Sequence, residues 1–243
     1  MNNLLILGAG SDIGVACAEK FANEDFNLML AGRNAKRFEP SQNDLKIRFN
    51  VEVTVHDFDA MDYESHTSFY NGLPNKPDVV ICVFGYMTEN EDAFKDWELA
   101  HRTLATNYNG AVSILNIVAM DFIERKAGSI IGISSVAGDR GRQSNFLYGS
   151  AKAGFTAYLQ GLRNRLFKEG IPVTTVKPGF VNTKMTEGMK LPGPLTAQPA
   201  QLANAIYKGY KKKKNTIYVL WMWRWVMLII KSIPEPIFKK LKL

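Results

Sequence analysis

The amino-acid sequence predicts an α/β fold in which a doubly wound, mostly parallel sheet of seven strands carries helices on both faces. Seven short apolar runs alternate with longer segments whose apolar residues recur at helical spacing, a pattern typical of successive βαβ units. The first apolar run also leads directly into a glycine-rich turn that opens a helical segment. Because 243 residues are enough for one α/β core, we expect a single domain over residues 1–243.

The predicted elements follow in chain order. Strands are predicted at residues 3–8, 26–31, 47–56, 78–84, 129–134, 172–177 and 216–220. Helices are predicted at residues 13–23, 63–72, 93–126, 147–169 and 199–211, and from residue 221 onward. Ligands of such sheets bind at the carboxyl ends of the strands, so the functional side chains are expected there.

The composition favours a folded protein kept in a reducing, cytoplasmic compartment. The chain is 46% hydrophobic and 22% charged and has no low-complexity tract, which excludes a disordered chain. Cys17 and Cys82 form no metal-binding pattern, so no metal is expected. The first residues lack a basic n-region and are interpreted as a strand rather than a signal peptide.

The turn after the first strand has the composition of a dinucleotide site. Residues 8–14 read GAGSDIG and are followed by a helical segment. Glycine lets the backbone approach a pyrophosphate, and a helix N-terminus offers it free N–H groups. The predicted contacts are Gly8, Gly10, Ser11, Asp12 and Ile13; a simple tight turn is the alternative.

The end of the second strand predicts NADP(H) as the cofactor. Here the chain reads Gly32-Arg33-Asn34, without the acidic residue that would accept from a free ribose 2′-hydroxyl. An arginine instead binds a 2′-phosphate through its forked guanidinium. Arg33 is therefore the predicted phosphate contact and Arg37 a second one; a solvated Arg33 is the alternative.

A candidate reacting group lies at the start of the helix predicted at residues 147–169. Tyr148 and Lys152 stand four residues apart, on one helix face. An ammonium beside a phenol favours the phenolate and is expected to lower its pKa. Ser135 ends the preceding strand, where its hydroxyl would donate to a substrate oxygen. A pair of surface residues is the alternative interpretation of Tyr148 and Lys152.

A polar patch interrupts the helix predicted at residues 93–126. Residues 106–110 read TNYNG, which predicts a local distortion whose amide faces the site. Asn107 is therefore a candidate for a proton relay.

Together these motifs resemble the short-chain dehydrogenase/reductase family, whose fold is of the Rossmann type, over essentially the whole chain. The resemblance implies an oxidoreductase with Tyr148 as acid and base, Ser135 orienting the substrate oxygen, and Lys152 holding the nicotinamide ribose. It also implies that Asn107 belongs to the catalytic set and that homo-oligomers form. The remaining cofactor contacts that it implies are Asp57, Phe58, Gly85, Pro178, Gly179, Val181 and Thr183.

Longer segments resemble one group within that family, the decaprenylphosphoryl-2-keto-ribose reductases. The similar segments are residues 83–86 (VFGY), 134–140 (SSVAGDR), 144–150 (SNFLYGS) and 233–238 (IPEPIF). This resemblance implies reduction of a keto sugar carried on a polyprenyl phosphate, in cell-envelope synthesis, with a flavin-dependent sugar oxidase as partner. Two alternatives stay open: a reductase of a soluble carbonyl or acyl compound, and a non-catalytic NADP(H)-binding sensor or scaffold.

The C-terminal region is basic and rich in tryptophan. The net charge of +7 is concentrated in Lys211 to Lys214 and in the tail lysines Lys231, Lys239, Lys240 and Lys242. The apolar stretch at residues 216–230 contains Arg224 and is too short to span a bilayer. Trp221, Trp223 and Trp225 beside lysines predict peripheral contact with an anionic membrane, and a helix in the core or at a subunit interface is the alternative. No nucleic-acid-binding motif is recognisable.

Overall fold

The computed structural model describes residues 1–241, and its centre is a seven-stranded sheet. The strand order is β3-β2-β1-β4-β5-β6-β9, and all neighbouring pairs are parallel. The strands are β1 (Asn2–Leu7), β2 (Phe26–Gly32), β3 (Val53–Asp57), β4 (Val79–Cys82), β5 (Ser129–Ile133), β6 (Val173–Pro178) and β9 (Thr216–Val219). A separate pair joins β7 (Phe180–Val181) to β8 (Thr196–Ala197). The predicted fold class is confirmed.

Helices cover both faces of the sheet. They are α1 (Asp12–Ala22), α2 (Glu39–Phe49), α3 (Ser65–Asn71), α4 (Asn90–Lys95), α5 (Trp97–Leu104), α6 (Gly110–Arg125), α7 (Phe146–Leu166), α8 (Pro199–Lys211), α9 (Met222–Ser232) and α10 (Glu235–Phe238). Side chains alternate across β1: Leu4 and Ile6 pack in one apolar cluster, Leu5 and Leu7 in the other. Both sides of this strand are therefore buried, which explains its continuous apolar sequence.

The strand predicted at residues 47–56 begins too early. Ile47 belongs to α2, where its side chain is 83% exposed, and the strand starts only at Val53. Asn50, with a φ of 54°, takes the left-handed conformation that ends α2. The sequence analysis missed α2 because Leu45 is its only buried residue, so no apolar stripe marks it.

The helix predicted at residues 93–126 is divided into four segments. Asp96 separates α4 from α5 with an extended backbone, and its side chain accepts from the Glu98 amide at 2.9 Å. A π-helical turn at Ala105–Asn109 then connects α5 to α6. The predicted distortion is confirmed, and Gly110 is required beside it because a Cβ there would meet the backbone oxygen of Ala60.

The C-terminal segment is held against the body of the protein. Trp223 and Met227 of α9 are buried against Val136. Arg140 donates to the carbonyl oxygens of Ile230 and Ile233 at 2.7 and 2.6 Å. Within residues 1–241 no helix is long and apolar enough to cross a membrane. Lys242 and Leu243, which the predicted basic tail includes, lie outside the described residues.

One expectation about the C-terminal region needs correction. Trp223 does not lie at a surface beside Trp221 and Trp225, because it is only 4% exposed. The lysines at residues 211–214 lie between the end of α8 and β9, whereas α9 follows β9.

Candidate active site

Two adjoining cavities open at the carboxyl ends of the strands. The larger has a volume of about 350 Å³ and the smaller of about 250 Å³, and both are lined by Phe84 and Gly85 after β4. Of the predicted site residues, the smaller cavity contains Gly8, Gly10, Ser11, Arg33, Phe58 and Gly85. The larger contains Ile13, Gly85, Ser135, Tyr148, Lys152, Pro178, Gly179, Val181 and Thr183.

The glycine turn brings bare backbone and a helix N-terminus to the smaller cavity. Gly8 has a φ of 99°, and a Cβ on it would lie 2.5 Å from the backbone nitrogen of Phe84. Ser11 caps α1 by accepting from the Gly14 amide at 3.0 Å. The turn therefore offers backbone N–H groups and a helix N-terminus to a ligand phosphate, and the residues present fit a dinucleotide.

Three arginines line the smaller cavity. Arg33 and Arg37 follow β2, and the Arg37 guanidinium covers Gly10 closely. Arg102 of α5 joins them and lies 4.4 Å from the centroid of the Tyr86 ring. Within residues 1–241 none of the three forms an ion pair. The cavity therefore has positive charge available for an anionic ligand; no sequence motif indicated Arg102.

Two residues predicted as cofactor contacts, Asp12 and Asp57, accept hydrogen bonds from backbone amides. Asp12 accepts from the Lys184 amide at 2.8 Å and so ties α1 to the segment after β7. Asp57 accepts from the Ala35 amide at 2.8 Å and so fixes the turn that carries Arg33 and Arg37. Neither residue lines either of these two cavities, and contact of either with a cofactor stays a prediction.

Tyr148, Lys152 and Ser135 meet in the larger cavity. The Lys152 ammonium lies 5.7 Å from the centroid of the Tyr148 ring and donates to the Ile133 carbonyl oxygen at 3.1 Å. The Ser135 hydroxyl accepts from the Ala137 amide at 3.1 Å and lies beside the Tyr148 phenol. The three residues that the sequence singled out thus share one cavity, as an acid/base site requires.

Burial controls the protonation of this group. It raises the pKa of Tyr148 to about 12, while the hydrogen bond with Ser135 acts in the opposite direction. It lowers the pKa of Lys152 to about 8. The expectation that the pKa of Tyr148 is lowered is not met in this structure, because desolvation outweighs the hydrogen bond with Ser135. At neutral pH the Tyr148 phenol is therefore protonated, and Lys152 is protonated in most of the molecules.

Asn107 lies in the π-helical turn and is only 1% exposed. Its amide donates to the carbonyl oxygens of Tyr86 and Thr103 at 2.5 and 2.8 Å. Its side-chain oxygen accepts from the Tyr86 amide at 3.3 Å. These bonds hold the loop after β4 in place, and the side chain does not line either cavity. A part in a proton relay stays a prediction.

Sequence reasoning missed two polar residues of the larger cavity, Arg142 and Asn145. Among the described residues, only Arg142 Nε and Asn145 Oδ1 are buried side-chain atoms without a hydrogen-bond partner. Both residues line the larger cavity together with Tyr148. One atom is a donor and the other an acceptor, so they fit a ligand that offers both kinds of group. Only their position, just before Tyr148, could have indicated them.

Comparison with known proteins identifies the family of this chain. Residues 2–191 match the short chain dehydrogenase family. An uncharacterised oxidoreductase of Streptomyces coelicolor is 33% identical over 243 residues, covering 98% of this chain and 95% of the relative. One from Mycobacterium tuberculosis is 30% identical over 241 residues, covering 98% and 96%. The solved short-chain dehydrogenase from Sphingobium yanoikuyae, in complex with NADPH, has a TM-score of 0.83 at 22% identity and covers 97% of each chain.

The chain therefore belongs to the short-chain dehydrogenase family. It is an oxidoreductase that acts on the CH–OH/C=O pair. Enzymes of this family use NAD(H) or NADP(H). The likeness to the solved structure is one of fold, because the sequence identity is low.

Proposed function

We propose that the protein is an NADP(H)-dependent reductase of a keto sugar carried on a polyprenyl phosphate. The observation that carries this proposal is the larger cavity, which is lined by Ser135, Tyr148 and Lys152 and also by Arg142 and Asn145, each of which has a buried polar atom without a hydrogen-bond partner. The first three residues provide carbonyl chemistry. The last two provide recognition of a polar, anionic substrate.

The choice of NADP(H) is supported by the charge of the smaller cavity. Arg33 and Arg37 stand at the end of β2, where the NAD-binding pattern would have a carboxylate. The solved structure from Sphingobium yanoikuyae is itself in complex with NADPH. When bound, NADPH supplies the hydride that converts the ketone into an alkoxide.

The chain's own residues orient the ketone and supply the proton. Ser135 donates to the substrate oxygen and fixes its position. Tyr148, whose phenol is protonated at neutral pH, donates its proton to the same oxygen as negative charge develops there. Lys152 keeps a positive charge close to the phenol and stabilises the anionic form left after proton transfer.

The class of substrate is supported by Arg142 and Asn145. A guanidinium binds phosphate more strongly than it binds a neutral group, and the Asn145 oxygen accepts from a sugar hydroxyl. Asn90 and Ser144 also line this cavity and add polar groups to it. Residues of the segments 134–140 and 144–150, which resemble the keto-ribose reductases, line this cavity.

NADPH oxidation by the purified chain tests the proposal. The assay compares a polyprenyl-phosphate keto sugar, produced in place by a flavin-dependent sugar oxidase, with soluble ketones and acyl substrates. We expect the lipid-linked keto sugar to give the highest kcat/KM, and NADPH to be preferred over NADH. Higher kcat/KM for a soluble carbonyl would contradict the substrate assignment. No turnover of any carbonyl compound would favour a non-catalytic sensor or scaffold.

A further inference from the structure

Helix α9 has two apolar faces, of which only one is covered. Trp223 and Met227 point inward and are 4% and 1% exposed. The outer face, formed by Trp221, Trp225, Leu228 and Ile229, has exposed fractions of 71%, 54%, 53% and 66%. These residues follow helical spacing, so they form one continuous strip. Exposed large apolar side chains in a continuous strip indicate an interaction surface.

Basic side chains accompany this strip. Arg224 and Lys231 lie on α9 and are exposed, as are Lys239 and Lys240 just after α10. Glu235 is the only acidic residue of residues 221–241, and it is paired with Arg140 at 3.0 Å. The apolar strip therefore lies in a positively charged segment, which is complementary to an anionic surface.

We propose that the outer face of α9 docks on an anionic membrane surface. The helix would lie in the plane of the interface, with Trp221 and Trp225 at the level of the headgroups and the neighbouring cations against the lipid phosphates. It would not cross the bilayer, since α9 has 11 residues. This inference goes beyond the proposed function and does not depend on it.

The charges favour a membrane over a second copy of the chain. A two-fold contact through this face would bring the outer strip of one subunit against the same strip of the other. Such a contact would bring the cations of both copies, Arg224 and Lys231 among them, to one interface without acidic partners, which costs free energy. An anionic lipid surface instead neutralises the cations while it covers the apolar strip.

Docking through α9 also has a consequence for the substrate cavity. Trp223, on the inner face of the helix, lines that cavity and donates from Nε1 to the Leu195 carbonyl oxygen at 3.0 Å. Arg140 holds the C-terminal end of α9 to the segment that follows Ser135. A docked helix would therefore bring one wall of the cavity to the membrane, where a lipid-linked substrate resides.

Vesicle co-sedimentation of the full chain tests the proposal. The vesicles contain phosphatidylcholine with 0, 25 or 50% phosphatidylglycerol. We expect binding to rise with the phosphatidylglycerol fraction and to fall with salt. The triple variant Trp225→Ala/Leu228→Ala/Ile229→Ala should bind at least about tenfold more weakly. It removes only exposed side chains, so its thermal unfolding and cofactor binding should match the wild type.

A matched control removes equally exposed apolar side chains from elsewhere. Ile47 and Phe167 are 83% and 80% exposed, and Ile47→Ala/Phe167→Ala should bind vesicles like the wild type. Three outcomes would overturn the proposal: no binding of the wild type to 50% phosphatidylglycerol at low salt, equal loss in the control, or unchanged binding of the triple variant. If the triple variant instead turns a dimer into a monomer without weaker vesicle binding, the face joins two copies. Since turnover is not measured, failure here leaves the proposed reaction standing.

Discussion

Lys177 donates a hydrogen bond to Asp139 over 2.5 Å in the interior of the protein, where both side chains are buried. Tyr218 of β9 donates to the other carboxylate oxygen at 2.8 Å. Lys177 directly precedes Pro178 and Gly179, which line the larger cavity, and Asp139 follows the segment that begins at Ser135. This ion pair therefore joins two cavity-lining segments.

We predict that Asp139→Asn lowers the free energy of unfolding by about 3–5 kcal/mol, because it leaves the Lys177 ammonium buried without its counter-charge. Urea denaturation measures the change. Asp44→Asn, which breaks the exposed pair with Arg48, is the matched control and should shift the free energy of unfolding by no more than about 0.5 kcal/mol. Equal effects of the two substitutions would show that the buried ion pair contributes no more to the free energy of unfolding than the exposed one.

Arg33→Asp should shift the cofactor preference from NADPH toward NADH. The new carboxylate repels a 2′-phosphate and accepts from a free 2′-hydroxyl. Equilibrium binding of the two cofactors, followed by fluorescence, measures the shift. Arg37→Ala should weaken NADPH binding without strengthening NADH binding. If the ratio of the two affinities hardly changes in either variant, the arginines do not contact the 2′-phosphate.

Arg142→Gln should lower kcat/KM selectively for anionic substrates. The guanidinium lines the larger cavity and has no ion pair among the described residues, so a substrate phosphate would be its partner. We expect a loss of roughly 10- to 100-fold for a keto sugar phosphate, and little change for the same sugar without phosphate. Arg165→Gln, at an exposed position on α7, is the control. Equal losses for the two sugars would assign Arg142 a structural role.

The pH profile of the free enzyme should show a basic limb near pH 8. Burial lowers the pKa of Lys152 to about 8, so the ammonium is present below this pH and is lost as the pH rises through it. We expect kcat/KM for NADPH, which reports groups of the free enzyme, to decline above pH 8. In Lys152→Arg the side chain stays charged, and the limb should disappear from the range up to pH 10. A flat wild-type profile to pH 9.5 would contradict this assignment.

The central strands could be predicted well because they are buried on both faces. In β1, β4 and β5 nearly every side chain is excluded from solvent, so each strand reads as an unbroken apolar run between polar turns. Helix α2 has no such signal, because a single buried residue, Leu45, connects it to the core. A single buried residue creates no apolar periodicity, so the sequence does not predict this helix.

The same distinction applies to the site. The glycine turn and the spacing of Tyr148 and Lys152 are local patterns, so the sequence contains them. Arg102, Arg142 and Trp223 reach the cavities only because separate elements meet there. Trp223 was expected at the surface because it stands in a series with Trp221 and Trp225. In the structure those two residues are exposed, whereas helical geometry turns Trp223 inward.

Single-turnover oxidation of bound NADPH by Tyr148→Phe tests the assignment of Tyr148 as the proton donor. Removing the hydroxyl keeps the ring in its packing, so NADPH affinity should be unchanged while the rate with a ketone substrate falls by at least about 10²-fold. Tyr158→Phe is the matched control on the same helix, because the Tyr158 hydroxyl donates to Asn116 at 2.8 Å, outside the cavities. It should react at nearly the wild-type rate. A Tyr148→Phe enzyme that oxidises NADPH within a few-fold of the wild-type rate would contradict the mechanism.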